Sequence, residues 1–101
     1  MAKAARHSFS DGGLARPGLF FMHYVYLIRS IKHPQRKYIG QTDDIVRRLS
    51  VHNSGGSIFT RDFRPWELVL FLGFENKSKA IGFEKHLKSG AGRAFAKKRF
   101  W

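Results

Sequence analysis

The chain has no cysteine among its 101 residues. Disulfides, thiolate metal sites and cysteine nucleophiles are therefore excluded, and the lack of a disulfide framework favours a cytoplasmic address. Long apolar runs are missing too. None approaches the roughly 20 residues that a membrane-spanning helix needs, so no membrane partner is expected. Leu19-Phe20-Phe21 is too short for the apolar core of a signal peptide. Acidic residues are scarce: seven Asp and Glu stand against nineteen Lys and Arg, for a net charge of +12. Small domains usually carry a net charge of about 2–8. The excess here implies a polyanionic partner, nucleic acid before an anionic membrane.

What is present is enough for one folded domain. The chain is 43% hydrophobic with 2 Trp, 3 Tyr and 10 Phe, a composition that supports an adequate but small core. Residues 1–21, with Gly12, Gly13, Pro17 and Gly18 and no sustained period, read as a flexible N-terminal tail. Residues 22–101 read as the domain. Basic residues recur among aromatics, as in Arg61-Asp62-Phe63-Arg64-Pro65-Trp66 and Lys97-Lys98-Arg99-Phe100-Trp101. That interleaving suits phosphate contact combined with stacking.

Tyr24 to Gly40 carries two aromatic and β-branched runs separated by His33-Pro34-Gln35, the pattern of a β-hairpin. Alternation puts Tyr24, Tyr26 and Ile28 on one face and Val25 and Leu27 on the other. Tyr26 and Tyr38 are then expected to converge on one face. Thr42 is expected to cap a helix starting at Asp43 and ending near Asn53, stopped by Ser54-Gly55-Gly56. Ile45 and Leu49 point inward on it, while Arg48 and His52, four apart, look out along one ridge. Ser57 to Pro65 reads as a basic, aromatic loop. Trp66 to Phe74 is apolar on both alternating faces, which predicts a central strand covered on both sides. A second helix, capped by Asn76 or Ser78, is expected to run to about Ser89 and stop at Gly90. Gly92 to Trp101 forms a short basic helix around Ala94, Phe95 and Lys98, with Phe95, Phe100 and Trp101 offering apolar area to the core.

Of the acids, Asp43 and Asp44 have capping roles. Glu84 alone falls on the apolar stripe of a helix, with Ala80, Phe83 and Leu87, where an unpaired carboxylate is costly. Two readings stand for it: an ion pair with Arg48 or a lysine, or a metal ligand.

Tyr24 to about Phe100 resembles the GIY-YIG nuclease family, in its minimal single-domain form. Tyr26 matches the tyrosine of the first motif, which here reads Tyr24-Val25-Tyr26 rather than Gly-Ile-Tyr. Tyr38-Ile39-Gly40 matches the second motif. Arg48 matches the arginine of the first helix, His52 the tyrosine-or-histidine position one turn later, and Glu84 the metal-binding glutamate. Thr60-Arg61 with Arg64-Pro65-Trp66-Glu67 is similar to the subgroup related to structure-selective repair nucleases. Gln41 stands where some relatives carry lysine.

The resemblance implies an α/β fold, a three-stranded and largely antiparallel sheet flanked by helices in the order β-β-α-β-α-α. It implies hydrolysis of DNA phosphodiester bonds, with a structure-selective role in repair or recombination as the finer form, on branched or single-stranded substrates. One Mg2+ or Mn2+ ion would be held by Glu84. Tyr26 would deprotonate the attacking water, its pKa lowered by Arg48 or the metal. Arg48 would bind the phosphoryl oxygens, and Tyr38 and His52 would orient water or phosphate, His52 being the alternative base. Gln41, Arg47, Thr60, Arg61, Arg64, Lys88 and Arg93 are the expected nucleic-acid contacts. Two other classes stand beside this one: a non-catalytic nucleic-acid-binding module on the same scaffold, and a subunit whose aromatic C-terminal region docks a partner protein.

Overall fold

A computed structural model describes residues 22–101. The expected tail, residues 1–21, lies outside the described residues. Three strands, β1 (His23–Ser30), β2 (Lys37–Thr42) and β3 (Trp66–Phe74), alternate with helices α1 (Ile45–Ser54), α2 (Lys77–Leu87) and α3 (Gly90–Arg99) in the order β-β-α-β-α-α. A short 3-10 turn, Arg61–Phe63, precedes β3. The sheet is antiparallel throughout, in the order β2-β1-β3.

The apolar run Val25–Ile28 is buried throughout because β1 lies between the other two strands and is covered on both faces. On one face Tyr26, Ile28 and Trp66 pack with Tyr38, Ile45, Leu49 and Phe63. On the other, Val25 and Leu27 meet Ala80, Leu87 and Ala96, with Phe74, Phe83, Phe100 and Trp101 against them. The result is three layers, α1 over the sheet and α2 with α3 beneath it. At about 25 cal/mol per Å2, burying apolar area on both faces of one strand dominates the stability of so small a core.

The structure corrects the expected central position of Trp66–Phe74. β3 is an edge strand, apolar on both faces because both helical layers reach it. Its alternation is also interrupted. β1 residues Leu27 and Ile28 pair with Leu70 and Leu68, so Val69 is an extra residue, a β-bulge. Past the bulge the faces exchange: Leu68 and Phe71 pack with Tyr26, whereas Val69 and Phe74 join the opposite cluster.

Helix boundaries shift for local reasons. Thr42 is the last paired residue of β2, opposite Tyr24, so the cap falls to Asp44. Its carboxylate accepts from Arg47 N at 3.0 Å, close to the positive end of the helix. Gly55 ends α1 with φ 88°, a left-handed conformation that glycine adopts without strain. Asn76 caps α2. The expected stop at Gly90 is instead the first residue of α3, because the Ser89 hydroxyl accepts from Gly92 N at 3.2 Å and starts a new helix. Phe95, expected to pack, is exposed and stacks edge-on with Phe100 at 5.3 Å. Ala96, Phe100 and Trp101 supply the packing surface of α3.

Candidate active site

The register of the hairpin builds the site. Tyr26 lies opposite Gly40, and with no side chain at Gly40 its ring crosses over that position. Tyr38 follows on the same face, with its ring centroid 6.4 Å from Tyr26 and 5.1 Å from His52. The two tyrosines thus converge as expected. α1 delivers Arg48 and His52 onto the same face.

His52 departs from its expected place. It does not look outward along a ridge; it is fully buried. Both ring nitrogens are engaged: Nε2 is 2.7 Å from Tyr26 Oη and Nδ1 is 2.7 Å from Thr60 Oγ1. Arg48 Nε donates to Tyr26 Oη at 3.4 Å. A guanidinium can only donate, so the phenol oxygen accepts from Arg48 and its own proton points at Nε2. We assign His52 the Nδ1–H tautomer on that basis, donating to Thr60.

Thr60 was expected to touch nucleic acid, but it is fully buried. Its hydroxyl holds His52, and its carbonyl accepts from Trp66 Nε1 at 2.7 Å. Asn53 completes the support: Trp66 N donates to Asn53 Oδ1 at 2.6 Å, and Asn53 Nδ2 donates to Trp66 O at 3.0 Å. These contacts clamp the end of α1 to the start of β3. Sequence reasoning missed this supporting set. The available signal was Trp66, whose indole N–H needs a partner when buried.

Burial pushes the Tyr26 phenol above its ordinary value of 10, against the opposing pull of the Arg48 hydrogen bond; Tyr38 and Glu84 add to the rise. The expected lowering by Arg48 therefore does not win in the free protein. Burial, and then the Arg48 charge, bring His52 down to about 4. The hydrogen bond to Tyr26 raises the Arg48 guanidinium further above its ordinary value. Near neutral pH the cluster is a cation, a phenol and a neutral imidazole in series.

Glu84 sits on α2, its side chain 19% exposed, and Lys88 Nζ donates to its Oε2 at 2.9 Å. Of the ion pairs open to it, the one with a lysine forms. The Lys88 ammonium also lies 5.8 Å from the Tyr38 ring centroid, so the Glu84–Lys88 pair borders the tyrosine cluster. Among the described residues, no three or more His, Asp or Glu side chains gather into a metal cage. A lone carboxylate fits magnesium, which keeps several waters and takes one or two carboxylates plus substrate phosphate.

The expected contact residues fall into separate patches. Gln41, Arg47 and Arg48 line a small cavity together, with Arg47 loosely paired to Asp43 and Asp44 at 3.9 and 3.8 Å. Arg64 Nε donates to the Arg61 carbonyl at 2.7 Å on the exposed 3-10 turn. Lys88 and Arg93 line a groove on the β2 side.

This β-β-α-β-α-α domain matches a known family. Residues 22–98 match the one described as the GIY-YIG catalytic domain. The chain belongs to that family. Similar proteins carry the name structure-specific endonuclease subunit SLX1. The one from Malassezia globosa is 40% identical over 67 residues, 62% of this chain and 15% of that protein. The one from Talaromyces marneffei is 46% identical over 65 residues, 58% of this chain and 17% of its own length. The Rattus norvegicus protein is 38% identical over 78 residues, 72% of this chain and 29% of its own length. The chain thus spans less than a third of each of these relatives. Among its described residues, this GIY-YIG chain has no helix long and apolar enough to cross a membrane.

Proposed function

We propose that the chain is a divalent-metal-dependent endonuclease that hydrolyses phosphodiester bonds in DNA, with branched or partly single-stranded DNA as its substrate. The observation that carries this reading is the continuous series Arg48–Tyr26–His52–Thr60, set beside Glu84 in a strongly basic chain. The names of the relatives add the preference for DNA structure.

In this reading Arg48 binds a non-bridging phosphoryl oxygen and stabilises the charge that builds there, a contribution that can reach about 3 kcal/mol. Tyr26 takes a proton from the attacking water. Its own proton moves to His52 Nε2, 2.7 Å away, an uphill transfer in the free protein given the raised phenol and the lowered imidazole. Thr60 holds the imidazole in the tautomer whose Nε2 accepts that proton. The water oxygen bonds to phosphorus, the bridging P–O bond breaks, and the departing oxygen takes up a proton. His52 acts through Tyr26 rather than on water directly, because both of its nitrogens are engaged and it is buried. Tyr38, its ring centroid 6.4 Å from that of Tyr26, orients water or phosphate. Glu84 would hold one Mg2+ or Mn2+ ion, which when bound supplies positive charge at the leaving oxygen. Its side chain, beside Lys88, keeps 19% of its surface exposed for that role.

The test is cleavage of flapped, branched and linear DNA with and without magnesium. Cleavage should require the metal and favour the branched forms. Glu84→Gln should abolish cleavage while DNA binding and thermal stability stay near those of the parent. Cleavage that persists in Glu84→Gln rules out the metal assignment. Salt-sensitive binding with no cleavage under any metal would mark a non-catalytic binding module instead.

A further inference from the structure

Beside Tyr38, the edge strand β2, the end of α2 and the helix α3 line a groove of about 450 Å3, a volume in the range of small-ligand sites. It is lined by the cations Lys37, Lys88, Arg93 and Lys97 and by Tyr38 and Trp101, and none of its lining residues is acidic. The floor is apolar, made in part by Leu87 and Ala96, both fully buried or nearly so. Lys37 Nζ stands 5.5 Å from the Trp101 ring centroid and Lys88 Nζ 5.8 Å from that of Tyr38. Trp101 is only partly buried and packs against the core cluster beneath the sheet, so its ring is held in place with an accessible surface.

Cations, aromatic rings and apolar side chains lining one groove are the elements by which proteins hold single-stranded nucleic acid. A duplex hides its base faces in the stack, so a groove that offers a ring for stacking selects unpaired nucleotides. Tyr38 is shared between this groove and the tyrosine–histidine cluster. The groove therefore begins where the candidate cleavage site ends.

We propose that this groove holds the first unpaired nucleotides of a single-stranded arm leaving the cleavage site. Trp101 stacks a base there, and Lys37, Lys88 and Lys97 hold the phosphates. The assignment rests on the nuclease reading for its direction, but the binding it describes needs no catalysis.

The experiment measures binding in the absence of metal, by fluorescence anisotropy, of a labelled short oligothymidylate and of a blunt duplex of equal length. Losing one base–aromatic stack in Trp101→Ala should weaken oligothymidylate binding about tenfold, with duplex binding changed less than about twofold. Trp101→Phe should restore most of the affinity. Lys97→Glu, on the exposed face of α3, should also weaken the single strand more than the duplex, and it carries the test if Trp101→Ala melts early. Equal losses for both ligands would make the groove a general phosphate patch and overturn the proposal, as would no loss for either. Cleavage by the parent chain is scored separately. If it fails while selective single-strand binding holds, the nuclease reading falls and the groove stands.

Discussion

The ring of Tyr26 crosses the sheet over Gly40, where an added Cβ would lie 2.5 Å from the phenol oxygen and 2.6 Å from Cζ. The glycine of the second motif is thus a steric requirement of the tyrosine of the first. Gly40→Ala should force the ring aside, break its contact with His52 and reduce cleavage by about 10²-fold, the scale for misplacing a reacting group by an ångström. DNA binding should change little, because Arg48 is one phosphate contact in a chain of nineteen cations; a matched fall in binding and turnover would show that the fold itself had moved. His52 makes a second prediction at this scale. Its folded pKa of about 4 lies below the ordinary 6.5, so below pH 6.5 the unfolded chain takes up a proton that the folded chain refuses. Stability contributed by the neutral imidazole is complete above about pH 6.5 and is lost as pH falls towards 4. It amounts to roughly 3 kcal/mol by linkage. Denaturant midpoints measured between pH 7 and pH 4 should fall more steeply for the parent than for His52→Gln, and equal slopes would contradict the assignment.

Among the elements, the turn between α2 and α3 is the tightest. A Cβ on Gly92 would run into the His86 carbonyl and the Leu87 Cα, both backbone atoms that cannot give way. Gly92→Ala should therefore cost about 1–3 kcal/mol or more. At about 4–8 °C per kcal/mol for a domain of this size, the loss is readily seen in a thermal melt. Gly82, in the middle of α2, has nothing within 4 Å of an added Cβ. Gly82→Ala should leave stability unchanged or raise it by up to about 1 kcal/mol through helix propensity. If the two substitutions behave alike, close packing of the helices is not what holds this corner. The same corner sets where α3 lies, and with it the groove between Trp101 and Tyr38.

For the whole molecule, among the described residues, the two helical layers close over a three-stranded sheet whose central strand supplies more of the fully buried side chains than any other element. We propose that residues 22–101 fold without residues 1–21, and a chain beginning at Met22 should melt with the full-length chain. Residues 1–21 hold three of the nineteen cations and one of the seven acids. DNA affinity of the shortened chain should therefore fall only slightly and keep a steep dependence on salt. A large drop in melting temperature would show that residues before Met22 pack on the domain.

The elements were largely legible because each is specified locally. Strand residues alternate, Asn76 offers a cap, and Gly55 permits a left-handed turn, all within a few positions of sequence. The residues of the cluster were legible only through the family resemblance, and their relations were not. Arg48 and His52 share a helix face by spacing, but that one reaches Tyr26 with its guanidinium edge while the other is sealed beneath it depends on how α1 lies on the sheet. Thr60 reads from the sequence as a nucleic-acid contact in a basic loop. Only the pairing of Trp66 with Asn53 turns it inward, onto a nitrogen of His52. The bulge at Val69 exchanged the faces of β3, because an extra residue in one strand cannot be seen until its partner strand is beside it. The sequence by itself determined the strands, helices and charge. Tertiary structure decided burial, and burial, which costs a charged group its solvation, set the protonation of Tyr26 and His52.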